Sequence, residues 1–113
     1  MTRNIMNARK LAKIKADIDS ARRKAVTARD LIAIATALGR KEFTGRGKEP
    51  TYLSTVFPFA RPIAIPKHGN ATIPPGTKKN ILNDLEDDWL RFKEKVDKEA
   101  EASHVEENYD YEN

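Results

Sequence analysis

The apolar residues between positions 7 and 25 recur at helical spacing. This stretch contains no Gly or Pro, and its apolar positions include Leu11, Ile14, Ile18 and Ala21. Residues three and four apart line one face of an α-helix, and charged residues separate the apolar ones here. The pattern therefore predicts an N-terminal amphipathic helix, which we assign to residues 1–26.

A second helix is predicted directly after the first. Thr27 and Asp30 have the spacing of a capping box, with Asp in place of the usual Glu, and a broad apolar face follows them. Gly39 stands at the end of that face. Because a glycine in the left-handed conformation commonly ends a helix, we expect this helix to stop there.

The third predicted helix runs from Lys78 to about residue 102, with Thr77 as its N-cap. Its apolar positions follow helical periodicity, so we assign Trp89, Phe92 and Val96 to packing. Three consecutive acidic residues at 86–88 point in different directions on a helix, and solvation is their expected role. Residues 101–113 are acidic and without period, and there we expect a disordered tail.

Between the second and third helices the pattern changes to short β-type runs at residues 42–46, 51–57 and 61–65. Pro62 and Pro66 stand at the two ends of the third run. Because proline lacks the amide hydrogen that a central strand needs, this strand should be very short or lie at a sheet edge. Helices and strands in this order predict an α+β fold around one core.

Composition narrows the classes of function. The chain of 113 residues has no Cys and only two His, His68 and His104, which stand far apart, so we expect neither a disulfide nor a zinc site. The N-terminal region is rich in Lys and Arg and has no continuous apolar run, which argues against a signal peptide or a spanning helix. We expect a cytoplasmic protein without a metal or a small-molecule cofactor.

Charge is divided unevenly along the chain. Residues 1–83 hold 17 of the 21 Lys and Arg but 5 of the 17 Asp and Glu, whereas residues 84–113 carry a net charge of −8. A basic body attracts polyanions by counterion release, and an acidic end can shield the same face or compete for it. The basic segment at residues 40–79 is therefore expected to meet the phosphate backbone of a nucleic acid.

One candidate binding segment is the glycine-flanked basic loop at residues 44–52. Glycines allow close approach of the backbone to a ligand, Arg46, Gly47 and Lys48 would contact phosphate oxygens, and Tyr52 could stack on a base. An ordinary hairpin turn with solvated charges explains the same residues. The loop lacks the spacing and the ending of a Walker phosphate loop.

A second candidate segment combines a strand end with a helix start. Arg61 precedes the strand, Lys67 and His68 follow it in a turn, and Thr77, Lys78 and Lys79 stand where a helix begins. The free amides of a helix start, with lysines beside them, form a cradle for anions. A lone histidine after a strand is more often a turn residue than a catalyst, so His68 alone carries no assignment.

These residues carry a resemblance. The runs RPIAIPKHGN at residues 61–70 and PGTKKNIL at 75–82 resemble the C-terminal half of the HicA family, small toxins of bacterial toxin–antitoxin pairs. The order of elements over residues 27–85 is also similar to that of the family. The resemblance implies a double-stranded-RNA-binding-like α-β-β-β-α core, cleavage of messenger RNA, and a HicB-type antitoxin as partner.

On this basis residues 27–100 would form a HicA-like RNA-binding domain, with an extra N-terminal helix and an acidic disordered tail outside it. The chain departs from the family at one point, because the active histidine expected just after Gly47 is absent. Glu49 is the local residue able to accept a proton from the RNA 2′-hydroxyl, and His68 could protonate the leaving oxygen. We therefore take Glu49 and His68 as the catalytic hypothesis.

Two other functions stay open. The chain could be an RNA-binding module of the same fold that lacks catalysis, or a small adaptor that docks a protein partner through its third helix and acidic tail. Growth arrest on induction would distinguish the endoribonuclease from both alternatives. RNA affinity that falls steeply with salt would distinguish the binding module from the adaptor.

Overall fold

The fold is α+β in the computed structural model, which describes residues 6–43, 50–66 and 70–112, with side chains as far as residue 100. Over these residues the chain forms three helices and three strands. In chain order they are α1 (Ala8–Arg22), α2 (Ala28–Ala37), β1 (Arg40–Phe43), β2 (Thr51–Ser54), β3 (Ile63–Ala64) and α3 (Pro75–Glu112). None of the described helices is long and apolar enough to cross a membrane.

Helix α1 forms where the apolar spacing predicts it. The Asn7 side chain caps its start by accepting a hydrogen bond from the Lys10 amide at 2.9 Å, which satisfies one of the free donors of the first turn. The four predicted apolar residues are all buried. The prediction of an amphipathic helix is confirmed, with bounds a few residues inside those expected.

Helix α2 begins with the predicted capping box. The Thr27 side chain accepts from the Asp30 amide, and the Asp30 carboxylate accepts from the Thr27 amide at 3.0 Å. The helix ends before Gly39, whose φ of 85° lies in the left-handed region that favours glycine. Both predictions for this helix, its start and its glycine stop, are confirmed.

The sheet has the order β1-β2-β3, and both pairs of neighbours are antiparallel. Strand β3 has two residues and lies at an edge, as the flanking prolines predict. Strand β2 ends three residues earlier than expected, because the Ser54 hydroxyl accepts hydrogen bonds from the amides of Val56 and Phe57 and turns the chain. The predicted residues 44–46 of the first strand lie outside the described residues.

One face of the sheet packs on the helices. Tyr52 and Ile63 pair across β2 and β3, and both are buried in the core with Leu31, Leu82 and other apolar residues of the helices. The alternate positions point to the opposite face, where Phe43 and Leu53 are exposed. The sheet therefore has one covered face and one open face.

Helix α3 differs from the prediction at both ends. It begins at Pro75, a residue type suited to the first helical position, so Thr77 lies inside the first turn and is not the N-cap. It also continues to Glu112, so the prediction of a disordered tail from residue 101 is wrong for residues 101–112. That stretch holds no Gly or Pro, and its Glu and Ala residues favour the helix.

Candidate functional site

The two predicted binding segments are flanked by residues that meet at one end of the sheet. Phe43, the last residue of β1, pairs with Thr51, and Thr51 pairs in turn with Ala64 of β3. Next to these pairs the Ile65 amide donates to the Pro50 carbonyl oxygen at 3.2 Å. The residues that precede and follow the segment between β1 and β2 therefore lie close to the residue that follows β3.

The residues inside these segments fall outside the described part of the chain. This holds for both residues of the catalytic hypothesis, Glu49 and His68. It holds equally for four of the predicted RNA-binding residues, which are Arg46, Gly47, Lys48 and Lys67.

Tyr52 is a core residue, which corrects its expected role in base stacking. Only 3% of its surface is exposed, because the alternation of β2 turns residue 52 toward the helices. Its hydroxyl lies 3.5 Å from the Glu42 carboxylate. Burial raises the pKa of the Tyr52 hydroxyl above its ordinary value, and the Glu42 charge raises this pKa further by disfavouring the phenolate.

Lys78 is engaged within the fold. Its ammonium group donates to the backbone oxygens of Lys24 at 2.8 Å and Arg22 at 3.3 Å, where α1 ends. The last carbonyls of a helix lack intrahelical donors and carry partial negative charge, so a lysine is a favourable cap there. Lys78 therefore binds the backbone oxygens at the end of α1, and we remove it from the predicted phosphate contacts.

The other described members of the predicted site lie at or near the surface. Lys79 is exposed and Thr77 is half-buried in the first turns of α3. The Arg61 side chain is 83% exposed and lies 3.4 Å from the Asp84 carboxylate. Solvent screens an ion pair of this kind, so Arg61 can exchange Asp84 for another anion at little cost.

A buried ion pair lies beneath this surface and departs from the prediction for the acidic residues. Asp88 is fully buried, and its two carboxylate oxygens accept from Nε and Nη2 of Arg40 at 2.6 and 3.0 Å. Arg40 Nη1 also donates to the carbonyls of Tyr52 and Arg61. The expectation that residues 86–88 are solvated is therefore wrong for Asp88, and Arg40 is unavailable to a polyanion.

A row of contacts between Arg91 and three phenylalanine rings connects this ion pair to the surface. Arg91 donates to Asp88 at 2.8 Å and lies 5.7 Å from the centre of the Phe59 ring. Phe59 is 74% exposed and packs on Phe57, which in turn meets Phe92 edge to face at 4.9 Å. The spacing of Asp88 and Arg91 on one helix is a sequence signal for their ion pair. The contacts of Arg91 with Phe59 and of Phe92 with Phe57 join distant parts of the chain and had no such signal.

The described residues thus define an α+β protein in which helices cover one face of a small antiparallel sheet. Exposed basic residues stand beside β3 and at the start of α3. No protein-family model, no curated protein and no solved structure matches this chain.

Proposed function

We propose that the chain is a HicA-like toxin that binds messenger RNA and cleaves it as an endoribonuclease. A HicB-type antitoxin would mask the site, and both proteins would act in the bacterial cytoplasm. The observation that carries the proposal is the hydrogen bond between Ile65 and Pro50, together with the strand pairs beside it. It joins the flanks of the two segments that hold the candidate catalytic residues.

The arrangement of elements supports the proposal. Helix α2, the three strands and helix α3 follow one another in the order expected of a double-stranded-RNA-binding-like core. The sheet is antiparallel with its strands in sequence order, and both helices contribute to the core on its covered face. Helix α1 precedes these elements in the chain, and its buried apolar residues belong to the same hydrophobic core.

The catalytic step follows from the positions of Glu49 and His68 in the chain. Glu49 directly precedes Pro50 in the chain, and His68 comes three residues after Ile65. Both candidate residues are therefore close in sequence to the hydrogen bond between Ile65 and Pro50. The Glu49 carboxylate takes the proton of the RNA 2′-hydroxyl, whose oxygen bonds to the adjacent phosphorus. The bond from phosphorus to the 5′-oxygen breaks, and His68 protonates that oxygen.

Phosphate contacts are assigned to basic residues inside the two segments and to two exposed cations of the described chain. Arg46, Lys48 and Lys67 belong to the segments. Of the predicted RNA-binding residues that the structure describes, Arg61 before β3 and Lys79 in the first turns of α3 are the cations with exposed side chains. Lysine and arginine bind phosphate mainly by charge, so affinity should fall steeply with salt. Lys78 and Tyr52 are omitted from this set because the fold uses them.

The test measures RNA cleavage and RNA binding with the full-length protein. We expect Glu49→Gln and His68→Ala to abolish cleavage while they change RNA affinity little, because the proposal assigns both residues to proton transfer and not to phosphate binding. Arg61→Ala and Lys79→Ala should weaken binding and lower the slope of log K against log salt by about 1 each. Lys93→Ala, on a distant turn of α3, is the matched control and should leave both measurements unchanged.

The outcomes separate the proposal from its alternative. Cleavage that persists in both catalytic variants would rule out the assigned roles of Glu49 and His68. A wild-type protein that binds RNA with a steep salt dependence but cleaves none would be the non-catalytic module, an alternative that the absence of the histidine expected just after Gly47 favours. Absence of both activities would refute an RNA-directed function.

A further inference from the structure

The open face of the sheet carries an aromatic ring that is not part of the hydrophobic core. Phe43 is the last residue of β1, and 58% of its surface is exposed. The contacts between described aromatic rings join Phe57 to Phe59 and to Phe92, and Phe43 takes part in neither. Its ring is therefore available to a ligand that approaches this face.

The strand register places small side chains beside this ring. Phe43 pairs with Thr51, and Thr51 pairs with Ala64, so the three residues form one row across the sheet. Lys41 and Leu53 form the next row. Paired residues lie on the same face, as do residues two apart along a strand, so all five side chains belong to the open face. Because Thr51 and Ala64 are small, a planar group can lie over their row against the Phe43 ring.

The open face carries a positive charge and no negative one among these five residues. Lys41 is exposed, and its ammonium group pairs with no carboxylate of the described chain. The acidic residue of β1, Glu42, points to the other face, where its carboxylate lies beside the Tyr52 hydroxyl. An anionic ligand would therefore meet Lys41 without having to displace a carboxylate.

The row of Phe43 lies at the end of the sheet that carries the candidate site. Ala64 directly precedes Ile65, whose amide donates to the Pro50 carbonyl oxygen, and Pro50 directly precedes Thr51. The segment between β1 and β2 begins at the residue after Phe43. A ligand chain that lies along the open face and reaches Phe43 therefore arrives at the flanks of both predicted binding segments.

On the basis of the proposed RNA-directed function, we propose that the open face binds unpaired nucleotides and that Phe43 stacks on a base. Lys41, two residues earlier on the same face, contacts a phosphate of the same strand. Base stacking thus belongs to Phe43 and not to Tyr52, because the strands turn residue 43 outward and residue 52 inward. The substrate of the candidate site is then single-stranded RNA.

An RNA duplex does not suit this face. In a duplex each base is stacked between its neighbours, and the surface presents phosphates, 2′-hydroxyl groups and base edges. Phe43 and Leu53 would then meet polar groups in place of a base face. Unpaired bases can turn out of the strand and present their flat faces, and stacking on an aromatic side chain binds them whatever their sequence.

The size of the open face also favours a nucleotide over a protein partner. Three strands span about 10 Å across the sheet, and four residues span about 13 Å along a strand. A stable protein interface covers about 800 Å² of each partner, so a protein bound here would have to extend well beyond the sheet. One or two bases fit within the face itself.

The test measures binding of a 2′-O-methyl oligonucleotide without self-complementarity, and of the duplex that it forms with its complement. Neither probe has the 2′-hydroxyl group that cleavage needs, so binding is measured apart from catalysis. The variants are Phe43→Ala, Phe43→Leu, Phe43→Trp and Lys41→Ala. Leu90→Ala is the matched control, because it removes a side chain that is 52% exposed from α3, on the covered side of the sheet. Far-UV circular dichroism checks that each variant folds.

We expect Phe43→Ala to weaken binding of the single strand at least about fivefold without changing the salt slope, because stacking releases no counterions. Phe43→Leu should weaken it similarly, since leucine keeps apolar surface but has no flat ring, and Phe43→Trp should preserve binding. Lys41→Ala should lower the slope of log K against log salt by about 0.7. Leu90→Ala should bind as the wild type does, and Phe43→Ala should leave duplex binding unchanged.

The outcomes distinguish this inference from the proposed function. Single-strand binding that is equal in the wild type and Phe43→Ala would overturn the stacking role and leave the RNA-directed function in place. Equal losses for the single strand and the duplex in Phe43→Ala would also overturn the stacking role. A wild type that binds neither probe would overturn both, and self-association that Phe43→Ala abolishes would then identify the open face as a protein interface.

Discussion

The pair formed by Arg40 and Asp88 shows how a single residue takes its role from distant parts of the chain. Both side chains are almost completely buried, and the guanidinium group also donates to the carbonyls of Tyr52 and Arg61. Removing two charges from water is costly, and the contacts recover that cost only because almost every donor of Arg40 has a partner. The pair therefore fixes the position of α3 against the sheet more than it adds stability.

Breaking this pair should destabilise the protein strongly. Asp88→Asn keeps the shape of the side chain but leaves the Arg40 charge buried without a counterion, and we expect a loss of about 3–5 kcal/mol in the free energy of unfolding. Asp84→Asn is the matched control, because its carboxylate pairs with the exposed Arg61, and it should cost at most about 1 kcal/mol. Urea denaturation measures both, and equal losses would contradict the assigned role of Asp88.

At the scale of elements, the junction between α2 and β1 depends on one glycine. Gly39 has a φ of 85°, and a Cβ atom there would come 3.4 Å from Val56 Cγ2 and 3.5 Å from Thr55 Oγ1. Its carbonyl oxygen accepts from the Thr55 amide at 3.0 Å and from the Thr55 hydroxyl at 2.7 Å. The residue thus ends the helix and sets the first contact of the hairpin at once.

Alanine should have opposite effects at two glycines of the chain. Gly39→Ala forces a side chain into the left-handed region and should destabilise the protein by about 1–2 kcal/mol. Gly76→Ala lies in the first turn of α3 with open space around the new methyl group, and should stabilise by up to about 1 kcal/mol. Thermal unfolding of the two variants beside the wild type checks the signs, and a neutral Gly39→Ala would argue against the strained junction.

Local patterns predicted the elements that local chemistry determines. The capping box at Thr27, the apolar stripe of α1 and the glycine stop of α2 each depend on residues within a few positions of one another. The roles of Lys78 and Tyr52 in the candidate site depend on neighbours brought together by the fold, 54 residues away in the bond from Lys78 to Lys24. Charge in the sequence therefore located a basic region but could not distinguish a cap from a ligand contact.

At the scale of the whole molecule, α3 determines the shape. Its 38 residues span about 57 Å, which matches the longest extent of 60 Å, whereas the other extents are 32 and 25 Å. The part of α3 up to Phe92 carries core residues of the body, and the part beyond residue 100 passes the start of α1.

Amide hydrogen exchange should distinguish the two parts of α3. We expect amides of residues 101–112 to exchange faster than amides of residues 81–92, because residues 81–92 pack in the core whereas the outer turns extend past the start of α1. Equal protection of the two stretches would contradict this difference in packing.

The buried guanidinium group of Arg40 connects α3 to two other parts of the chain. It donates hydrogen bonds to Asp88 on α3, to the Tyr52 carbonyl on β2 and to the Arg61 carbonyl before β3 at the same time. Asp88 is thus a point at which the long helix α3 is fixed to the sheet. A movement of α3 at Asp88 would therefore have to carry these two backbone segments with it or break their hydrogen bonds to Arg40.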